Sequence, residues 1–188
     1  MMSSTHTTLD PEESTKLQDG FDILDVCHRK TVFMLGKLAA LITRLTNIGA
    51  DAESRAMAAE IVGYFSTTAR QHHEDEERHV FPRLATDGDP DVVRAVLRLQ
   101  QDHDWLEENW MELFPHLDAV ACGQSWYDLD FMREAANIFT GLSHDHIALE
   151  ESYIYPQARA QLRLSERVDM GREMAARRRA QRVDTKVR

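Results

Sequence analysis

The sequence predicts an all-α protein, an antiparallel up-down four-helix bundle with a C-terminal basic tail. Three observations predict it. Four stretches place their apolar residues at helical rather than alternating spacing. Short connections rich in stop and start signals join them. The second half of the chain also repeats key residues of the first, displaced by 74 or 75 positions, as two packed helical hairpins would.

Residues 1–14 are polar and unpatterned and read as a flexible leader. The bundle is expected over 15–162 and the tail over 163–188. The first helix carries Phe21, Leu24, His28, Val32, Leu35, Leu38 and Ile42 on one face. Gly49 then breaks the chain, and Asp51 is suited to cap the next helix. Ile61, Phe65, Thr68, His72, Glu76 and His79 line the second helix. In the turn Asp87-Gly88-Asp89-Pro90, Asp89 suits an N-cap and Pro90 the first helical position. The third helix aligns Val96, Leu99, His103, Leu106, Trp110 and Leu113. After a loop around Ala121–Ser125, the fourth aligns Ala135, Ile138, Leu142, His146, Glu150 and Tyr153.

Of the 188 residues, 43% are hydrophobic and 29% charged, an ordinary globular composition able to bury one core without disulfides. Two cysteines, Cys27 and Cys122, fit a reducing compartment, and the N-terminus lacks the apolar run of a signal peptide. No apolar stretch is long enough to span a bilayer. A cytoplasmic protein is therefore expected. The net charge is −10, yet residues 159–188 hold ten Lys/Arg against four Asp/Glu, so the remainder carries −16. So acidic a body is a poor match for nucleic-acid phosphates.

The repeat brings chemistry with it. His72, Glu76 and Pro82 recur as His146, Glu150 and Pro156, and Phe81-Pro82 as Tyr155-Pro156; His28 and His103 fall into the same scheme. Residues four apart share a helix face, so each His-x-x-x-Glu pair aims an imidazole and a carboxylate at one point. Those faces are otherwise apolar. Burying two carboxylates and four imidazoles unpartnered costs several kcal/mol or more, which a cation offsets. Four nitrogen and two oxygen donors exceed what one tetrahedral zinc needs and suit two metal ions bridged by carboxylates, a mixed donor set that non-haem iron favours.

The order His28, His72-x-x-x-Glu76, His103, His146-x-x-x-Glu150, with an aromatic-Pro pair closing each even helix, resembles the hemerythrin-like (HHE cation-binding) family in its bacterial four-His form. The resemblance covers roughly residues 17–160. It implies a hemerythrin-like bundle holding two iron ions, bridged by the carboxylates and an oxo or hydroxo group. His28, His72, His103 and His146 would be terminal ligands, with Glu76 and Glu150 the bridges. The oxygen carriers of the family have a further histidine one turn after the third-helix one; here that position is Glu107. Glu107 is either a seventh ligand or a solvated glutamate. The four-His set shifts the implied function from oxygen transport toward binding, sensing or breakdown of dioxygen, nitric oxide or peroxide. Whether turnover occurs stays open. The competing reading is a non-catalytic metal-binding or regulatory module carrying zinc or manganese.

Other residues read more plainly. His79 and Tyr153 extend the ligand faces by one turn, where packing is the simpler role. His73 and Glu77 form an i, i+4 pair rotated by one residue, which the repeat register sets aside in favour of His72 and Glu76. His144 is expected to be exposed, and Trp105 and Trp110 to pack between helices. Cys27 adjoins His28 but points about 100° away around the helix and reads as inert. The tail, with Arg177-Arg178-Arg179, is either helical or disordered; it docks on the acidic body, mediates self-association or lacks fixed structure, the last being the simplest expectation.

Overall fold

Helix begins at Gly20, where the Asp19 carboxylate accepts a hydrogen bond from the Phe21 N–H at 3.0 Å and caps α1 (Gly20–Asn47). A computed structural model describes residues 19–87 and 89–187, with side chains up to residue 180 except Asp87; the expected leader lies outside the described residues. Gly49, at φ 97°, closes α1 in the left-handed region that a side chain disfavours. Asp51 then caps α2 (Ala52–Gly63) by accepting from the Ser54 N–H at 2.8 Å. A π-helical segment, Tyr64–Ala69, links α2 to α3 (Arg70–His79), and α4 (Phe81–Asp87) follows a bend at Val80. Asp89 caps α5 (Pro90–Ala121) with Pro90 in the first turn, as the sequence predicts. Asp128 caps α6 (Leu129–Leu149), which runs through a second π segment, Glu150–Ile154, into α7 (Tyr155–Gln161). Helix α8 (Leu164–Val187) completes the described chain.

The rods form a ring in which α1 lies beside α2 and α6, and α5 lies beside α2 and α6. Consecutive rods are thus neighbours, as short connections demand in an up-down bundle. Among the described residues there is no strand, and no helix is long and apolar enough to cross a membrane.

Two apolar layers sandwich a polar one. Leu38, Ile61, Phe65, Trp110, Leu113 and Phe139 belong to one layer; Phe21, Leu24, Phe81, Leu99, Ile154 and Tyr155 belong to the other. Between them lie His28, His72, Glu76, His103, His146 and Glu150, each at most 5% exposed. Each fully buried leucine contributes about 1.5–3 kcal/mol, so the layers supply the stability that the polar stratum does not. Two expected core residues face outward: Val32 is 45% and Ile138 49% exposed. At 3.6 residues per turn, Thr31 and Phe139 fall nearer the centres of those faces.

The tail departs most from expectation. Instead of lacking fixed structure, α8 packs along α1, burying Met170 and Met174 against the Phe21–Leu24 layer. The approach is close enough that a Cβ on Gly20 would lie 2.5 Å from Met170 Cγ. Arg178 Nη2 donates to Asp75 Oδ2 at 2.6 Å, and Arg177 Nη2 donates to Oδ1 of the same carboxylate. Glu173 meets His79 Nε2 at 2.7 Å and Arg78 Nη1 at 3.4 Å.

Candidate metal centre

Four rods deliver the six predicted residues to one place: α1 gives His28, α3 His72 and Glu76, α5 His103, and the α6–α7 rod His146 and Glu150. Helical spacing brings His72 Nε2 within 3.4 Å of Glu76 Oε1, and His146 Nε2 within 3.2 Å of Glu150 Oε1. Packing adds the cross-helix approaches: His28 Nε2 is 3.1 Å from Glu150 Oε2, and His103 Nε2 is 3.5 Å from Glu76 Oε2. The result is two overlapping donor groups. His28 and His72 with Glu76 and Glu150 form one; His103 and His146 with the same two glutamates form the other, and within each the donor atoms lie within 4.8 Å of one another.

A surrounding layer fixes the rings. His28 Nδ1 is 3.0 Å from Glu151 Oε1, and His103 Nδ1 is 2.8 Å from Glu77 Oε1. Each Nδ1 donates its proton outward to that carboxylate, so Nε2 is the nitrogen that faces the centre. Glu77 and Glu151 are themselves 74 positions apart, so the repeat extends to the residues that orient the histidines. It extends also to the rings beneath them: Phe81 stacks on His103 and Tyr155 on His28, with centroids 5.5 and 5.3 Å apart. The halves differ there by one hydroxyl. Tyr155 Oη lies 3.2 Å from His28 Nε2 and donates to Glu76 Oε1.

Burial opposes charge throughout this layer, and the carboxylates decide which imidazoles overcome it. Despite burial, Glu150 and Glu76 raise His28, Glu76 and Glu77 raise His103, and Glu150 with Asp102 lifts His146 to about 10. Burial, aided by His28, His146 and His103 and opposed by Glu76, pushes His72 down to about 3. Burial alone would raise Glu150, but His146 and His28 hold it well below the usual carboxylate range.

On the side away from Tyr155 the cluster opens on a cavity of about 40 Å³, bounded by His28, His72, His73 and His146 and walled by Phe65, Trp110 and Phe139. This exceeds the roughly 10–15 Å³ that one water needs and falls far below the roughly 300 Å³ where sites for larger organic ligands begin.

The hemerythrin HHE cation-binding domain family matches residues 19–177, most of the chain. This protein belongs to that family. An uncharacterized protein of Haemophilus influenzae is similar to it, 29% identical over 170 residues that cover 90% of this chain and 96% of the other. Cation binding is what the family is described by, and in this HHE domain the buried His/Glu cluster is the group of side chains that could hold a cation.

Several further residues stand apart from their sequence reading. Glu107 is outside both donor groups: its oxygens receive Arg70 Nε at 3.0 Å and Arg70 Nη2, so the seventh-ligand option gives way to a surface ion pair. His73 comes closer than the repeat register suggests, stacking on His103 with centroids 4.0 Å apart and grouping with His103 and His146. Its counterpart 74 positions on is Ile147, so the repeat gave no reason to select it. His79 turns to Glu173 on α8 rather than to the cluster. Tyr155, not Tyr153, is the site aromatic. Trp110 packs in the core as expected, whereas Trp105 is 46% exposed. Cys27 is buried, and burial pushes its thiol up against the opposing pull of Arg178, which agrees with the inert reading.

Proposed function

We propose that this HHE domain holds two iron ions and binds a small molecule of the dioxygen, nitric oxide or peroxide class. One observation carries the reading. His72 Nε2, Glu76 Oε2, His103 Nε2, His146 Nε2 and both oxygens of Glu150 are buried and have no hydrogen-bond partner. Leaving so many polar atoms unsatisfied in a protein interior is costly, each by about 1–3 kcal/mol. A cation in each donor group would satisfy them, with Glu76 and Glu150 shared between the two. Nitrogen and carboxylate donors without thiolate suit iron, and two bridging carboxylates suit a pair rather than a single ion.

When bound, the pair would supply open coordination positions and a shared change of oxidation state. The chain's own residues do the rest. Glu77 and Glu151 hold His103 and His28 in the tautomer that presents Nε2 inward. Tyr155 keeps a proton at Oη beside Glu76 Oε1. Phe65, Trp110 and Phe139 keep bulk water from the cavity, whose size admits molecules of a few heavy atoms and excludes large organic substrates.

The test is metal analysis of protein purified without air, with an absorption spectrum before and after oxygen. About two irons per chain with charge-transfer bands that change on aeration are expected. The Glu76→Ala, Glu150→Ala double variant should lose both ions. Zinc without such bands would favour the non-catalytic reading, and full iron retention in the double variant would overturn the ligand set.

A further inference from the structure

We propose that Arg70 and Glu107 form the mouth of the cavity and select what reaches the histidine–carboxylate cluster, passing small uncharged molecules and holding back anions and larger solutes. This rests on reading the cavity as the way to a metal pair, and it deepens that reading by naming the class of molecule admitted.

The cavity's inner end is made of His28, His72 and His146, each at most 3% exposed, and its walls are core aromatics. Among the described residues, its charged lining other than histidine is Arg70 and Glu107, whose side chains are 46% and 42% exposed. The cavity therefore runs from the buried cluster to the surface at that pair. The opposite side of the cluster is filled by Phe81 and Tyr155, at 1% and 2% exposure.

The pair also has the mechanical character of a gate. Arg70 sits on the first turn of α3, directly after the π segment, and Glu107 one turn beyond His103 on α5, so two of the four ligand-bearing rods also carry the closure. Arg70 donates through both Nε and Nη2, and Nη2 also lies 3.8 Å from Met111 Sδ. An exposed ion pair holds only weakly, so it opens far more readily than the packed walls. Closed, it is neutral and narrow. Opened, it leaves a guanidinium and a carboxylate together at the rim, and an anion is held back because it must shed its hydration to enter a low-dielectric passage.

Trp110 makes this measurable without any metal, because it lines the cavity at 3% exposure. Replacing Trp105 and Trp126, which are 46% and 57% exposed, by Phe leaves Trp110 as the chain's single tryptophan. In the metal-free full chain, quenching of Trp110 by dissolved dioxygen should rise about threefold or more on Arg70→Ala and on Glu107→Ala. Iodide should part the two variants. Glu107→Ala, leaving Arg70 unpaired, should raise iodide quenching well above that of Arg70→Ala, which leaves the repelling carboxylate. The control is Arg83→Ala, which removes a surface pair with Glu166 away from the cavity and should change neither. Circular dichroism and thermal melting verify that each variant is folded. Unchanged dioxygen quenching in both folded mouth variants, or an equal rise in the control, overturns the proposal. In iron-loaded protein the same variants should speed the association and dissociation of uncharged nitric oxide together, leaving the equilibrium constant near that of the parent. Quenching that behaves as stated in a protein that takes up no iron would sink the di-iron reading and keep the mouth.

Discussion

The outward-facing nitrogens of His28 and His103 show how much of a metal centre lies one layer beyond its ligands. Glu151 and Glu77 receive those N–H groups at 3.0 and 2.8 Å, and both carboxylates reach solvent, with side chains 50% and 49% exposed. Each is a small structural investment with a leveraged effect, since a ring held in one tautomer and one plane needs no reordering when an ion arrives. Glu77→Ala or Glu151→Ala should therefore weaken metal affinity about 10- to 100-fold, the range seen when such outer partners are removed. Competition with a chelator of known affinity measures this. Glu77→Gln, which still accepts a hydrogen bond, should recover part of the loss. An affinity unchanged in both alanine variants would mean that packing alone sets the rings. Both glutamates lie in the 74-residue repeat, yet the register sets Glu77 aside together with His73 and does not single out Glu151. A glutamate next to a ligand on a helix is rotated by about 100° and reads as a solvated surface group. What makes it functional is a histidine arriving from another rod, and that is a tertiary fact. The Tyr155 hydroxyl was similarly hidden, because the aromatic-Pro pairing drew attention to what Phe81 and Tyr155 share rather than to the atom by which they differ.

At the scale of elements, α8 is the part of the fold that local pattern described least well. Its apolar residues are sparse among charges, so neither a buried stripe nor a cap stands out in the sequence; its docking depends on Met170 and Met174 reaching the layer built by α1 and on two arginines reaching Asp75. Asp75 is 2% exposed and directly precedes Glu76, so the tail is tied to the ligand-bearing turn of α3. Removing one partner of a buried charged network costs about 3–5 kcal/mol. Because Arg177 and Arg178 keep about a fifth of their side chains in solvent, a smaller loss of about 2–3 kcal/mol is expected for Asp75→Ala. Denaturant unfolding measures it, and limited proteolysis should then cut within α8 before the bundle is touched. Should the bundle and α8 remain equally protected, the ion pairs would not be what fastens the helix. By contrast, the four ligand-bearing rods were legible apart from the π segments Tyr64–Ala69 and Glu150–Ile154. Their caps at Asp51 and Asp89 and the break at Gly49 are decided by residues within a few positions of one another, the range over which a single sequence speaks clearly.

For the molecule as a whole, the buried layer couples proton occupancy, metal occupancy and stability. With no cation in place, Glu150, held well below the usual carboxylate range, faces imidazoles whose hold on a proton is raised, His146 above all, lifted to about 10. A histidine whose folded pKa lies above its unfolded value stabilises the fold fully below that unfolded value, about 6.5. The contribution is lost as pH rises through the folded pKa. The metal-free protein should thus lose stability from about pH 6.5 upward. Metal binding carries the opposite slope, because an ion must displace the proton from His146 and from the raised His28 and His103, and it competes better as pH rises. The melting temperature gained on adding ferrous iron or manganese should therefore widen steadily between about pH 6.5 and 9, with proton release on binding at neutral pH. Paired thermal melts across that range, with titrations in buffers of different ionisation enthalpy, decide the matter. A gain independent of pH, or binding without proton release, would show that the imidazoles are already neutral and that something other than their protons balances the two buried carboxylates.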